Sequence, residues 1–320
     1  RAWPVTLSPE TSRSSLLPEE GNSCSLREMR LRGWRLAMRL ASWLFPKRKE
    51  LETYLSSRPD NFRSCKVIVV TNQKGGSFKT GWTVCYAHMF VNSEETYAVY
   101  GRFPRVAVIG MDPSCGVEKA FGLDAAALDR IRNATMPAAL HHPAVDGIEP
   151  LVADRISHRF QHIHLYPTSP ALSMWESSME VLRAQYIGHR ELGNEELAEA
   201  MVTKLHESRL LLKRFVDTIR GAYDRIIIDC RPGEGQLAVA PLFAADWVHI
   251  PTFLTDASIT QARRRADVVK QAQQVNPALK IMAVIPTNLH KGNAQQRHWL
   301  SELSRKPTVP TKSDFSDLVV

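Results

Sequence analysis

Short runs of β-branched and aliphatic residues alternate along the chain with longer stretches of helical period. The apolar runs fall at residues 66–70, 106–109, 163–165, 225–228, 247–250 and 281–285. Near-continuous apolar runs of this length predict strands buried on both faces, which is what a parallel sheet covered by helices requires. Helical patterns fall at about 79–91, 195–221 and 258–275, and no internal repeat at solenoid spacing interrupts the alternation. The predicted fold is α/β, a doubly wound and mostly parallel sheet flanked by helices.

Upstream of the first strand the pattern changes. Residues 1–25 are rich in Ser, Pro and Glu without period and are expected to be a flexible tail. Residues 26–45 turn helical, with Arg32, Arg35 and Arg39 on a narrow stripe beside Met29, Leu36, Leu40, Trp43 and Leu44, until Pro46 ends the element. This basic amphipathic extension and its linker run to residue 63. Its apolar face fits packing on its own domain, a partner helix, a membrane surface or a DNA backbone. The predicted α/β domain covers 64–320. Because the chain opens on Arg1 and closes on Leu318, Val319 and Val320 in what reads as an unfinished element, a fragment truncated at the C-terminus is expected.

Composition narrows the function classes. The 320 residues carry a formal charge of +8, and 12 basic against 7 acidic residues lie before residue 64, so the positive excess is concentrated in the extension. A basic chain favours polyanionic partners, nucleic acid or an acidic membrane surface. Five cysteines scattered singly argue against a disulfide scaffold or zinc site, and no run of about 18 apolar residues or signal-peptide pattern occurs. A cytoplasmic setting is expected.

The first strand runs into Thr71-Asn72-Gln73-Lys74-Gly75-Gly76-Ser77-Phe78-Lys79-Thr80 and then a helix, the setting a phosphate-binding loop requires. Backbone N–H groups from Gly75 onward could cradle phosphates. Lys79 could neutralise β- and γ-phosphate oxygens, and the Thr80 hydroxyl could ligate Mg²⁺. By itself the loop also fits a tight turn with solvated lysines. Two further strands end in a carboxylate, Asp112 followed by Pro113 and Asp229 followed by Pro232-Gly233. The carboxyl ends of strands in an open parallel sheet line the ligand crevice, so both acids are expected to point toward the loop.

Asn72 to Thr80 resembles the deviant Walker A motif of the ParA/MinD-type ATPases, with Lys74 as the signature lysine ahead of the paired glycines. The resemblance extends over residues 106–113, 165–167, 223–229 and 250–287, in family order across about residues 65–310. It implies a nucleotide-sandwich homodimer with ATP and Mg²⁺ as cofactors. Lys74 would reach the partner's phosphates, and Gly75, Gly76, Ser77, Phe78, Lys79, Thr80 and Gly81 would wrap the nucleotide. Asp112 would position the attacking water, Thr80 and Asp229 would serve the metal, and adenine would lie near Pro286, Thr287 and Asn288. It further implies non-specific DNA binding, a ParB-like stimulating partner, and a nucleoid-associated role in plasmid or chromosome partitioning. An ATP-binding scaffold without hydrolysis and a MinD-like ATPase on a membrane surface are the rival readings.

Three positions depart from the family pattern. Phe78 stands where a glycine precedes the Walker lysine, Gly81 where a small hydroxyl residue follows Thr80, and Gly110 where an acid precedes Asp112. The run Arg263, Arg264 and Arg265 early in a helix is the candidate DNA backbone contact. His141, His142, His158, His162 and His164 lack partners at ligand spacing, with His162 and His164 expected on one strand face. Cys115 and Cys230 are read as small packing residues near the crevice.

Overall fold

The computed structural model describes residues 64–124, 126–127, 136, 151–152, 162–290 and 292–304. The expected tail, the helix over 26–45, the linker to residue 63 and the chain beyond residue 304 lie outside the described residues, as do His141, His142 and His158.

The six apolar runs form β1 (Lys66–Val70), β2 (Val106–Met111), β4 (Ile163–Tyr166), β5 (Arg225–Cys230), β6 (Trp247–Phe253) and β7 (Lys280–Thr287), with β3 (Leu151–Val152) before β4. The sheet order is β3-β4-β2-β5-β1-β6-β7, parallel throughout except for β3, which pairs antiparallel with β4 at the edge. Burial on both faces explains the continuous apolar runs. In β5, Ile226, Ile228 and Cys230 face one core while Ile227 faces the other.

One face is covered by α1 (Lys79–Asn92), α2 (Glu94–Tyr100) and α3 (Gly116–Ala120), through Trp82, Phe90, Val117 and Phe121. The opposite face is covered by α4 (Leu172–Glu191), α5 (Glu195–Ile219), α6 (Gln236–Ala244), α7 (Asp256–Ala272) and α8 (Ala294–Ser304). Helices on both faces make the sheet doubly wound. α5 buries Leu205, Leu212 and Val216 at helical spacing and begins on Glu195 and Glu196, whose charges suit the positive end of the helix dipole. Gly193, at φ 73, supplies the left-handed residue that turns α4 into α5.

The pattern missed the short α2 and α3, the terminal α8, and also α4 and α6. α4 buries only Leu172, Trp175 and Met179, and exposes Met174, Val181 and Ile187, so its stripe is faint. α6 is apolar on every side and therefore shows no period. His162 corrects the expectation that it shares a strand face with His164. It precedes β4 in a left-handed conformation and stacks on Phe103 at 5.3 Å, while His164 Nδ1 lies 2.9 Å from the Tyr223 hydroxyl.

Candidate phosphate site at the carboxyl end of the sheet

The loop after β1 is shaped by buried polar groups. The Thr71 N–H continues the ladder to the His249 carbonyl at 3.0 Å. Asn72, fully buried, turns the chain: its Nδ2 donates to the Pro251 carbonyl at 2.7 Å and its Oδ1 accepts from the Lys74 N–H at 3.2 Å. Gly75 and Gly76 are exposed, with open space where a side chain would stand. Phe78 holds φ 68 and ψ 22, the left-handed conformation natural to glycine, at a cost on the order of 1–2 kcal/mol. The backbone at residue 78 thus keeps the conformation that a glycine there would adopt. No side chain caps α1, so its first-turn N–H groups keep the polarity that suits an anion.

Phe78 and Gly81 form one feature. A Cβ at Gly81 would lie 2.3 Å from Phe78 Cε2, so the absence of a side chain at residue 81 makes the bed on which the half-exposed ring rests.

Lys79 is buried, and its Nζ donates to the Lys74 carbonyl at 3.0 Å, across the loop. Burial lowers its pKa, opposed by the charges of Asp229, Cys230 and Asp112. The Thr80 hydroxyl donates to Asp229 Oδ2 at 2.8 Å and the Thr83 hydroxyl to Asp229 Oδ1 at 3.1 Å. Burial pushes the Asp229 carboxyl up to about 6; the two hydroxyl hydrogen bonds and Lys79 pull it down, and Asp112 raises it. Thr83 escaped the sequence reading, although its i+3 spacing from Thr80 puts both on one helix face. The Ser77 hydroxyl is buried without a hydrogen-bond partner inside the loop.

The other predicted residues divide. Asp112 lies at the end of β2, half-buried, its Oδ1 accepting from the Ser114 N–H at 2.9 Å in a local turn. Lys74 Nζ donates to Ser258 Oγ at 3.0 Å and lies 5.9 Å over the Phe253 ring, so within the single chain it is tied to the start of α7. Pro286 and Thr287 are buried at the end of β7, and the Thr287 hydroxyl is bonded to the Thr252 carbonyl at 3.1 Å, leaving Asn288 as the exposed member of that trio. The arginine run is split: Arg263 and Arg264 are exposed, but Arg265 is 0% exposed and donates through Nη2 to the Gly233 carbonyl. Arg265 is thereby removed from the candidate DNA surface, because the helix turn that exposes its two neighbours points it into the core. Burial pushes the Cys115 thiol up to about 11 and raises that of Cys230, keeping both protonated as packing groups.

Among the described residues, no cluster of three or more His, Cys, Asp or Glu is spaced to hold a metal by side chains alone, and no helix is long and apolar enough to cross a membrane.

A family model described as AAA domain matches residues 65–281. An uncharacterized protein of Mycobacterium tuberculosis (strain CDC 1551) is 27% identical over 255 residues, 79% of this chain and 65% of the relative. The chromosome partitioning protein ParA of Myxococcus xanthus is 26% identical over 226 residues, 69% of this chain and 64% of the relative. The chain thus spans less than two thirds of the length of either relative. A solved structure of cobyrinic acid a,c-diamide synthase from Mycobacterium smegmatis, with bound ADP and magnesium, covers 79% of this chain and 90% of that chain at 22% identity and a TM-score of 0.56, a likeness of fold.

Proposed function

The chain belongs to the ParA/MinD-type P-loop ATPase family, and from that premise we propose that it binds ATP with Mg²⁺ in the loop of residues 74–81. The observation that carries this reading is the joint geometry of the loop and β5. The left-handed Phe78 keeps the cradle open, Lys79 Nζ crosses it, and Thr80 is hydrogen-bonded to Asp229 at 2.8 Å. The donor set suits the ligand: uncapped helix N–H groups, the unpartnered Ser77 hydroxyl and a buried ammonium are all anion-seeking. A Mg²⁺ ion would rest on Thr80 and, through water, on Asp229, with phosphate oxygens completing a shell that the protein side chains alone do not supply. When bound, it would supply charge neutralisation at the transferred phosphoryl group.

In the same reading the chain is an ATPase that works as a nucleotide-sandwich homodimer. Lys74 leaves Ser258 to face the partner's phosphates, Asp112 orients the water, and Asn288 contacts the base. Arg263 and Arg264 offer a backbone contact to DNA without sequence preference. The role is DNA partitioning in the bacterial cytoplasm, with a ParB-like protein stimulating hydrolysis.

Calorimetric titration with ATP·Mg²⁺, followed by phosphate release with and without duplex DNA, tests the reading. Wild-type protein is expected to bind, and Lys79→Ala to lose at least about tenfold in affinity, since a desolvated charge facing phosphates has no equal replacement in water. Unchanged affinity in that variant would refute the site. ATP binding without phosphate release would leave a nucleotide-binding scaffold, and association with anionic vesicles in place of DNA would favour the membrane-surface reading.

A further inference from the structure

Position 110 of β2 has no side chain, yet the space beside it is filled by a carboxyl. A Cβ built on Gly110 would stand 2.1 Å from Oε1 of Glu118, which comes from α3 eight residues later. Gly110 pairs with Asp229 in the parallel ladder, so the two backbones are neighbours at about 4.8 Å and their side-chain positions project to the same face. That face is the one α1 covers, because Val106 and Val108 in β2 and Ile227 in β5 all join the core shared with Trp82. Glu118 therefore puts a carboxyl beside Asp229 on the side of the sheet that carries the Thr80 and Thr83 hydroxyls.

Glu118 is 0% exposed. Its Oε1 accepts the Thr168 N–H at 2.7 Å, but Oε2 is buried without a hydrogen-bond partner. A buried carboxyl with one empty oxygen is costly, and a glutamine would accept the same N–H without the charge. α3 itself is held close to the metal end of the loop, since a Cβ at Gly116 would lie 3.2 Å from Thr80 Oγ1. The feature that gives an unpaired carboxyl there a use is a cation arriving in the crevice.

We propose that Glu118 is a positioning residue for the divalent cation, supplying from α3 the carboxyl that β2 lacks at Gly110 and steadying, beside Asp229, the water shell of the ion. The inference rests on the ATP·Mg²⁺ reading above. Burial pushes the Glu118 carboxyl up to about 7, the Thr168 N–H pulls it down, and the charges of Asp229 and Asp112 add to the rise.

The test is the Mg²⁺ dependence of binding of a fluorescent ATP analogue, with melting temperature recorded alongside. Glu118→Gln keeps the acceptor for the Thr168 N–H and is expected to raise the half-saturating Mg²⁺ concentration about 10- to 100-fold, the usual effect of losing an outer-sphere partner, with Mg²⁺-free nucleotide affinity unchanged. Gly110→Ala, which presses on the carboxyl without removing it, is expected to shift the same midpoint in the same direction. Gly110→Asp combined with Glu118→Ala, which returns a carboxyl to β2, is expected to restore it to within about threefold of wild type. A wild-type midpoint in both Glu118→Gln and Gly110→Ala, whatever their melting temperatures, overturns the inference and leaves Glu118 structural. Absence of Mg²⁺-dependent nucleotide binding in the wild-type protein instead overturns the ATP·Mg²⁺ reading, and this inference with it.

Discussion

Phe78 and Gly81 should respond to substitution as a pair whose energies do not add. Gly81 lies in the first turn of α1, where alanine outranks glycine by up to about 1 kcal/mol. In the wild-type background that gain is overridden, because the new Cβ would stand 2.3 Å from Phe78 Cε2 and must drive the ring off the helix. The ring is 50% exposed, so roughly 100 Å² of its surface is at stake, or about 2–3 kcal/mol. Gly81→Ala alone is therefore expected to destabilise by about 1–2 kcal/mol. Phe78→Gly alone loses the ring contact and loosens the unfolded chain, but it releases the strain of a left-handed non-glycine residue, so a net loss of about 1–2 kcal/mol is expected. In the Phe78→Gly background, Gly81→Ala has nothing to strike and should stabilise by up to about 1 kcal/mol. Urea unfolding of the four proteins gives the coupling directly, with about 2–3 kcal/mol expected. Additivity within about 0.5 kcal/mol would show that the ring does not cover Gly81 and would refute the account of these two departures as one feature.

Asp112→Ala should retain ATP but slow phosphate release by about 10²–10³-fold, since the carboxylate is assigned to the water and not to the nucleotide; loss of binding and turnover together would make it structural. Replacing Arg263 and Arg264 with Ala should weaken DNA binding on every sequence alike and reduce the salt slope by about 2. Arg265→Ala, by contrast, should leave the slope unchanged and lower the melting temperature. Asp229 and Glu118 have folded-state pKa values raised to about 6 and about 7, so between about pH 4 and those values the folded protein binds more protons than the unfolded chain. Their contribution is therefore present below about pH 4 and lost as pH rises toward 7, by an amount on the order of 2–3 kcal/mol for each group. Unfolding measured at pH 4.5 and 7.5 should accordingly show a smaller pH dependence in Glu118→Gln than in wild type, and an equal one would contradict the burial of the charge.

The sequence by itself determined the six parallel strands but not the short antiparallel edge strand β3, because a strand buried on both faces writes its burial into consecutive residues, as at 66–70 and 225–228, where no knowledge of neighbours is needed. It placed most of the candidate phosphate loop for the same reason: Lys74 to Thr80 lie within one stretch of chain, and Asp229 ends an apolar strand whose neighbours in a parallel sheet are limited. α6 was hidden because a helix apolar on all sides carries no period, and α4 because only three of its residues are buried. Tertiary structure alone decided everything that depends on which side chain fills which space. Gly110 and Gly81 read along the chain only as departures from the family pattern, and only packing reveals that Glu118 and Phe78 occupy the space beside them. Arg265 reads as one of three equal charges until the turn of α7 sends it into the core, and Lys74 meets Ser258 across a separation of 184 residues. Periodicity and propensity are local and survive in the sequence, whereas complementarity of shape and charge belongs to pairs of residues that the fold brings together.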